Sequence, residues 1–364
     1  MNYIKNMGKR LSLYLYSILL VLTAFYSYAL VDPNFTLLNN QLWEVFRNAM
    51  VQLGYYQRPL SSLIYILIVG LLFGFHFYFL KNYKKVDLKF ILIVLFFVAV
   101  ASYPFLSHDF FNYMFDAKIF SVYQKNPYLY KALDFPQDDW LRFMHWTHRT
   151  YPYGPTFLPI TLIPSFLAMG KLFLNFIFFK ATFFLFFWLG VYSLSKIDKK
   201  YAVFFATNPY VIVEGLVNAH NDLVALSLVL FGIYLMNKER VWSRVMLLVS
   251  AGIKYVSVPF IFITKDKKSL LFKAVFIAQI LLLIYLSFSQ EIQQWYFLIL
   301  IGFLPFLEKF VYRLNIFFAG LLLSYYPFVA GGDWSATNLA VKHNIILAAA
   351  VLFLLSYFIK LRKR

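Results

Sequence analysis

Apolar runs of about 17–25 residues, the length that crosses a hydrocarbon core as a helix, recur along the whole chain between short polar links. The runs at 11–31, 60–80, 88–106, 172–194, 201–217, 222–236, 270–289, 294–309, 314–331 and 339–359 read as spans. The run 156–169 is short, holds Pro159 and Pro164, stops at Gly170, and reads as an interfacial or half-buried helix. The segment 242–263 sits between two basic links, around Arg240 and around Lys265-Asp266-Lys267-Lys268. A single crossing would put one of these links on the wrong side. Gly252-Ile253-Lys254-Tyr255, with Pro259 after it, offers a break, and irregular backbone at membrane depth is tolerated where protein or water surrounds it. The pattern predicts a broken hairpin with Lys254 at its tip. It predicts an all-α polytopic membrane protein of about 10–12 membrane helices. No internal repeat stands out, so residues 1–364 read as one integral membrane domain.

Charge orients the layout. Lys5, Lys9 and Arg10 precede the first span, and Lys360-Leu361-Arg362-Lys363-Arg364 follow the last. Basic residues favour the cytoplasmic side, so both termini are expected there, in the plasma (inner) membrane. On this layout the whole formal excess of +18 falls on the cytoplasmic links. Membrane orientation thus accounts for the basic character, and no nucleic-acid partner is expected. The first run is long and no A-x-A-like site follows it, so it reads as a span and not as a cleaved signal. The absence of Cys excludes disulfides and thiol chemistry. The 44 Phe and 28 Tyr read as lipid-facing and packing surface.

The link 107–155 is a long, aromatic-rich outer loop, and long loops in compact proteins tend to be functional. It opens Ser107-His108-Asp109-Phe110-Phe111-Asn112-Tyr113-Met114-Phe115-Asp116-Ala117-Lys118. Ser107 is placed to cap a helix with Asp109 in its first turn, where the helix dipole favours a negative charge. Asp109, Tyr113 and Asp116, spaced i, i+4, i+7, share one helix face. Further polar residues come from separate stretches on the same side: Arg142, His145, His148 and Arg149; Glu214, Asn218, His220, Asn221 and Asp222; and Lys254. Charged groups at membrane depth are costly and mark function. Plainer readings stand beside each: Asp109 as a cap, Asp116 as a solvated charge, Lys254 snorkelling to headgroups. His145 and His148 are three apart, but no third ligand is evident, so no metal and no cofactor is expected. His76 stands within its span without polar company, which argues against a membrane O-acyltransferase.

Asp109, Tyr113 and Asp116-Ala117-Lys118, running on to Asn126-Pro127-Tyr128, resemble the first outer-loop signature of GT-C glycosyltransferases. Tyr151-Pro152-Tyr153-Gly154-Pro155, Asn208-Pro209-Tyr210 with Glu214-Gly215, Asn218-Ala219-His220-Asn221-Asp222, Gly252-Ile253-Lys254-Tyr255 and Gln294-Trp295-Tyr296 extend the likeness in order. The chain is most similar to the bacterial polyprenyl-phosphomannose-dependent mannosyltransferases. It departs from them at Ala117 and Lys125, where that family usually has Gly. The resemblance implies a GT-C-type fold, with 1–240 as the catalytic module and 241–364 as C-terminal membrane helices. It implies transfer of a hexose, by expectation mannose, from a polyprenyl-phosphate sugar donor to a glycan or lipid-linked acceptor on the outer, periplasmic face. Asp109 is then the general base. His108, Tyr113, Asp116, Lys118, Arg149, Glu214, Asn218, His220, Asn221, Asp222 and Lys254 are expected to bind substrate, with Lys254 on the donor phosphate. A lipid or sugar flippase, which should show inverted repeats with matched helix breaks, and a surface-polysaccharide polymerase are the competing readings. Two helices lying along the outer surface between early spans would favour GT-C.

Overall fold

The structure, a computed structural model, describes the backbone of residues 2–362; Lys363, Arg364 and the side chains of the terminal basic runs lie outside the described residues. Fourteen α-helices carry the described chain, joined by short 3₁₀ and π turns and without a strand among the described residues. They are α1 (Asn2–Tyr26), α2 (Gln41–Val51), α3 (Arg58–Lys81), α4 (Leu88–Ala101), α5 (Asp109–Ser121), α6 (Phe157–Ala168), α7 (Leu172–Ser195) and α8 (Lys199–Thr207). Then come α9 (Asn221–Leu235), α10 (Arg240–Ile253), α11 (Leu270–Ser289), α12 (Glu308–Leu323), α13 (Tyr326–Gly331) and α14 (Ala336–Arg362).

Among the described residues six segments are long and apolar enough to cross a membrane: Leu11–Leu30, Arg58–Lys81, Leu172–Ser195, Leu270–Ser289, Glu308–Gly331 and Ala336–Tyr357. The pair Val211–Val217 and Asn221–Leu235, bent by 112°, makes a seventh if counted as one span. The count of long spans is thus lower than the sequence pattern predicts. The physical reason is interruption. The run through α4 stops at Ala101, before Ser102-Tyr103-Pro104; Asn208-Pro209 cuts α8 from the π turn Val211–Val217; and Gln294–Phe303 is a 3₁₀ helix. These shorter pieces are almost wholly buried between Val203 and Leu230 and again between Leu298 and Leu304. Their broken backbone is therefore surrounded by protein, which makes the breaks tolerable.

The predicted broken hairpin is present. α10 ends at Ile253, Lys254 is extended (φ −144°, ψ 120°), and the 3₁₀ segment Tyr255–Phe262 runs back along α10. Arg244 donates to the Ile261 carbonyl, and Ser250 to Ser257 Oγ at 2.9 Å, so Lys254 is the tip. Basic links gather at one end of the bundle: Lys199 donates to the Lys84 carbonyl (3.0 Å), and Lys200 pairs with Glu308 (2.7 Å). At the opposite end, Glu291 receives Lys342 (2.8 Å) and His343 (2.9 Å), and Arg58 reaches the Val329 carbonyl (3.4 Å). The short helices between early spans are α2 and α5. α2 lies in the polar link between the runs 11–31 and 60–80, where the apolar pattern predicts no helix, and Asn40 caps it through the Trp43 N–H at 2.8 Å. α5 is not a surface helix: every residue from Phe110 to Ile119 is buried.

His76 corrects another expectation, because it has polar company. One ring nitrogen meets Thr207 Oγ1 at 2.9 Å and the other Asn315 Nδ2 at 3.2 Å, and Asn208 donates to Asn315 at 2.9 Å. Both nitrogens are used to tie α3, α8 and α12 together, which leaves no free imidazole for acyl transfer.

Candidate active site

α5 follows a kinked link. Ser107 Oγ accepts the Asp109 N–H at 3.3 Å, and the Leu106 N–H donates to Asn218 Oδ1 at 3.2 Å. That second bond fixes the start of α5 against the break between the π turn and α9. The opposite face of α5 is anchored by aromatic packing, with Phe110 on Phe176 (5.4 Å) and Phe111 on Phe143 (5.3 Å). Asp109, Tyr113 and Asp116 are left on the face toward the break. The Tyr113 hydroxyl accepts the Asn221 N–H at 3.5 Å, and its ring meets Tyr153 at 4.8 Å.

The break itself is built from strained backbone. Ala219 sits at φ +55°, a region that non-glycine residues adopt only when their surroundings impose it. Glu214, Asn218, His220, Asn221 and Asp222 are all buried around it. Asn218 donates to Glu214 Oε2 (3.2 Å) and thereby ties the middle of the π turn to the residue that follows it. A residue missed from sequence holds the break from behind. Lys180, wholly buried in α7, donates to the Leu216 (3.3 Å) and Val217 carbonyls, which the interrupted helix leaves free. A cation at the C-terminal end of a helical segment also suits the backbone dipole there. The signal was a lone Lys inside an apolar span, which is a functional pointer in itself.

Lys254 enters from the hairpin tip. Its Nζ donates to Asp222 Oδ2 (2.8 Å) and Asn221 Oδ1 (3.0 Å), and lies 4.8 Å from the centre of the Tyr296 ring. The Tyr151–Pro155 turn docks on the same tip: Gly154 N–H donates to the Ile253 carbonyl (3.3 Å) and Thr156 N–H to that of Gly252 (3.1 Å). A side chain at Gly154 would collide with the Gly252 carbonyl, so this close approach requires glycine. Trp295 stacks on His220 at 3.9 Å and 18°. The Gln294-Trp295-Tyr296 stretch therefore closes one side of the site.

The structure brings Asp109, Tyr113, Asp116, Glu214, Asn218, His220, Asn221, Asp222 and Lys254 into one cluster. Arg149, exposed and packed on the Trp146 ring at 4.4 Å, acts electrostatically on both Asp109 and Asp116 from the open side. His108 lies at the edge, stacked on His145 at 3.7 Å, and burial lowers its imidazole to about 3, so it stays neutral. Lys118 does not join the cluster. It stands nine residues from Asp109, half a turn round the helix, pairs with Asp138 and lies 4.0 Å from the centre of the Trp140 ring. Burial raises the Asp109 carboxyl above the ordinary carboxylate range, while Lys254 and then Arg149 pull it back down. Its side chain keeps 19% of its surface exposed, so it can meet a ligand. Asp116 is buried and raised well above that range, first by desolvation and then by Asp109. Among the described residues no three His, Asp or Glu side chains are grouped to hold a metal ion.

A partly open carboxylate beside two cations can take a proton and hold an anion at the same time. No curated protein and no solved structure matches the chain. A family model described as alpha-(1->6)-mannopyranosyltransferase, N-terminal domain (MptA_B family), matches residues 15–265, well over half of the chain and the part that carries the whole cluster. The chain therefore belongs to the alpha-(1->6)-mannopyranosyltransferase family, as a multi-pass, all-helical mannosyltransferase.

Proposed function

We propose that the chain transfers mannose from a polyprenyl-phosphate donor to a hydroxyl of a glycan or lipid-linked acceptor, with inversion and with Asp109 as general base. The observation that carries this reading is the placement of Asp109: part-exposed, at the start of α5, within the fields of Lys254 and Arg149. In the reaction the acceptor O–H bond breaks and its proton goes to Asp109. The acceptor oxygen bonds to C1 of the sugar, and the C1–O bond breaks with its electron pair leaving on the lipid phosphate. A hydroxyl is a weak nucleophile, and a positioned carboxylate contributes roughly 10²–10⁴-fold by taking its proton. Negative charge grows on the departing phosphate, where preorganised cations lower the barrier. Lys254, held by Asp222 and Asn221, is the fixed cation, and Arg149 is the exposed one. Asp116, on the same helix face as Asp109, is assigned to the sugar hydroxyls in this reading. A monophosphate leaving group between protein cations needs no metal.

The gathering of basic links at the end of the bundle opposite this cluster supports a periplasmic site with both termini in the cytoplasm of a plasma-membrane protein. The test is to incubate purified protein with radiolabelled polyprenyl-phosphate mannose, the matching glucose donor and a panel of glycan acceptors. Label on an acceptor from the mannose donor is the expected result. Label that stays on lipid but crosses a vesicle bilayer would favour the flippase reading instead.

A further inference from the structure

His220 has no role in the steps above, yet it is the most constrained ring in the site. It is wholly buried, its face lies on Trp295, and the backbone N–H of His220 donates to the Glu214 backbone carbonyl at 3.1 Å. The imidazole is thereby set edge-on between two carboxyl groups. Nδ1 lies 4.0 Å from Asp109 Oδ2, and Nε2 lies 3.4 Å from Glu214 Oε2. Among the described residues neither ring nitrogen has a hydrogen-bond partner. Buried polar groups are nearly always partnered, so this pair of orphans asks for an explanation. Lys254 at the hairpin tip and Lys180 of α7 act electrostatically on His220. Glu214 is faced by Asn218, Asp222, Lys342 and the hydroxyls of Tyr325, Tyr210 and Tyr65.

Proton counting narrows the possibilities. A neutral imidazole has one N–H and one lone pair, so between two carboxyl groups it donates to one and must accept from the other. An imidazolium donates to two carboxylates. Both arrangements hold the same two protons and the same net charge of one negative unit. Glu214 is wholly buried, whereas the Asp109 side chain keeps 19% of its surface exposed, so in the neutral arrangement the carboxyl proton belongs on Glu214. With that, Nδ1–H points at Asp109 in both. We propose that Glu214 and His220 form a positioning pair for the base: Nδ1–H clamps Asp109 Oδ2 and leaves Oδ1 to take the acceptor proton. This inference rests on the mannosyl-transfer reading, because it assigns Asp109 the base role. It places His220 and Glu214 behind the base and not on the sugar. A base oriented by a third group is a recurrent arrangement for activated hydroxyl nucleophiles.

The test combines kinetics with a spectrum that needs no substrate. Nitrogen-15 histidine NMR of the purified protein, with His220→Ala to assign the signal, should show Nδ1 of His220 protonated throughout the active pH range. His220→Ala should lower kcat by about 10²-fold, leave the donor KM within about threefold, and displace the acid limb of the pH profile. Glu214→Gln, whose amide still donates to Nε2, should keep kcat within about tenfold, whereas Glu214→Leu should fall with His220→Ala. An unprotonated Nδ1 overturns the proposal, and so does a large rise in donor KM at constant kcat, which would put His220 on the sugar. If the wild-type protein transferred nothing, the mannosyl-transfer reading would fail, and the spectrum would still decide the clamp.

Discussion

The proposed base, Asp109, can take a proton only when ionised, and its surroundings pull its carboxyl in two directions. Burial raises it; Lys254 and Arg149 lower it. The rate should fall as pH drops through the raised value, so the acid limb of kcat is expected above the ordinary carboxylate region near about 4. Lys254→Ala removes a lowering cation and should move that limb further up. On the proposed reading it also removes a charged group from the donor phosphate, which costs roughly 1.5–3 kcal/mol, or about 10–150-fold in donor KM. Unchanged donor kinetics in Lys254→Ala would remove it from the phosphate. At this scale the sequence was informative where spacing sets a face. Asp109, Tyr113 and Asp116 point together because helix geometry makes them. The same geometry turns Lys118 away toward Asp138, so proximity along the chain was a poor guide there. Lys180 escaped notice, and His76 read as lacking polar company, because their partners, the Leu216 and Val217 carbonyls and Asn315, come from distant segments.

Among elements, the broken hairpin through Lys254 is the piece that charge parity made legible. Two basic links on one side, a Gly before the Lys and a Pro after it allow little else. Its docking partner was not legible, since nothing in Tyr151–Pro155 announces a seat on the Gly252 and Ile253 carbonyls. Gly154→Ala should force that seat open, because its Cβ would meet backbone and not a flexible side chain. Overpacking of this kind costs about 1–3 kcal/mol, and a lower thermal midpoint in detergent with a raised donor KM is the expected readout. An unchanged midpoint and KM would show that the turn does not hold the hairpin tip. The remaining elements were hardest to read where apolar runs of spanning length are cut in the structure. Apolar composition alone does not distinguish a continuous helix from one interrupted at Asn208-Pro209 or wound as the 3₁₀ segment Gln294–Phe303.

For the whole molecule, the layout of charge makes a claim about sidedness. The chain has no Cys, so single cysteines report cleanly. In intact cells Gln137→Cys should react with an impermeant maleimide, and Lys267→Cys should react only after lysis; the reverse pattern would turn the protein over. On the proposed reading, the clustering of residues far apart in sequence, from Asp109 to Lys254, makes the apolar bundle a catalyst of mannosyl transfer. Its central claim is that the carboxylate of Asp109 takes the acceptor proton. The most direct measurement is single-turnover transfer of labelled mannose from polyprenyl phosphate by the wild-type protein and by Asp109→Asn, each checked for folding and insertion. Transfer should be lost in Asp109→Asn by about 10²–10⁴-fold with donor binding retained. Turnover near the wild-type rate would contradict the account.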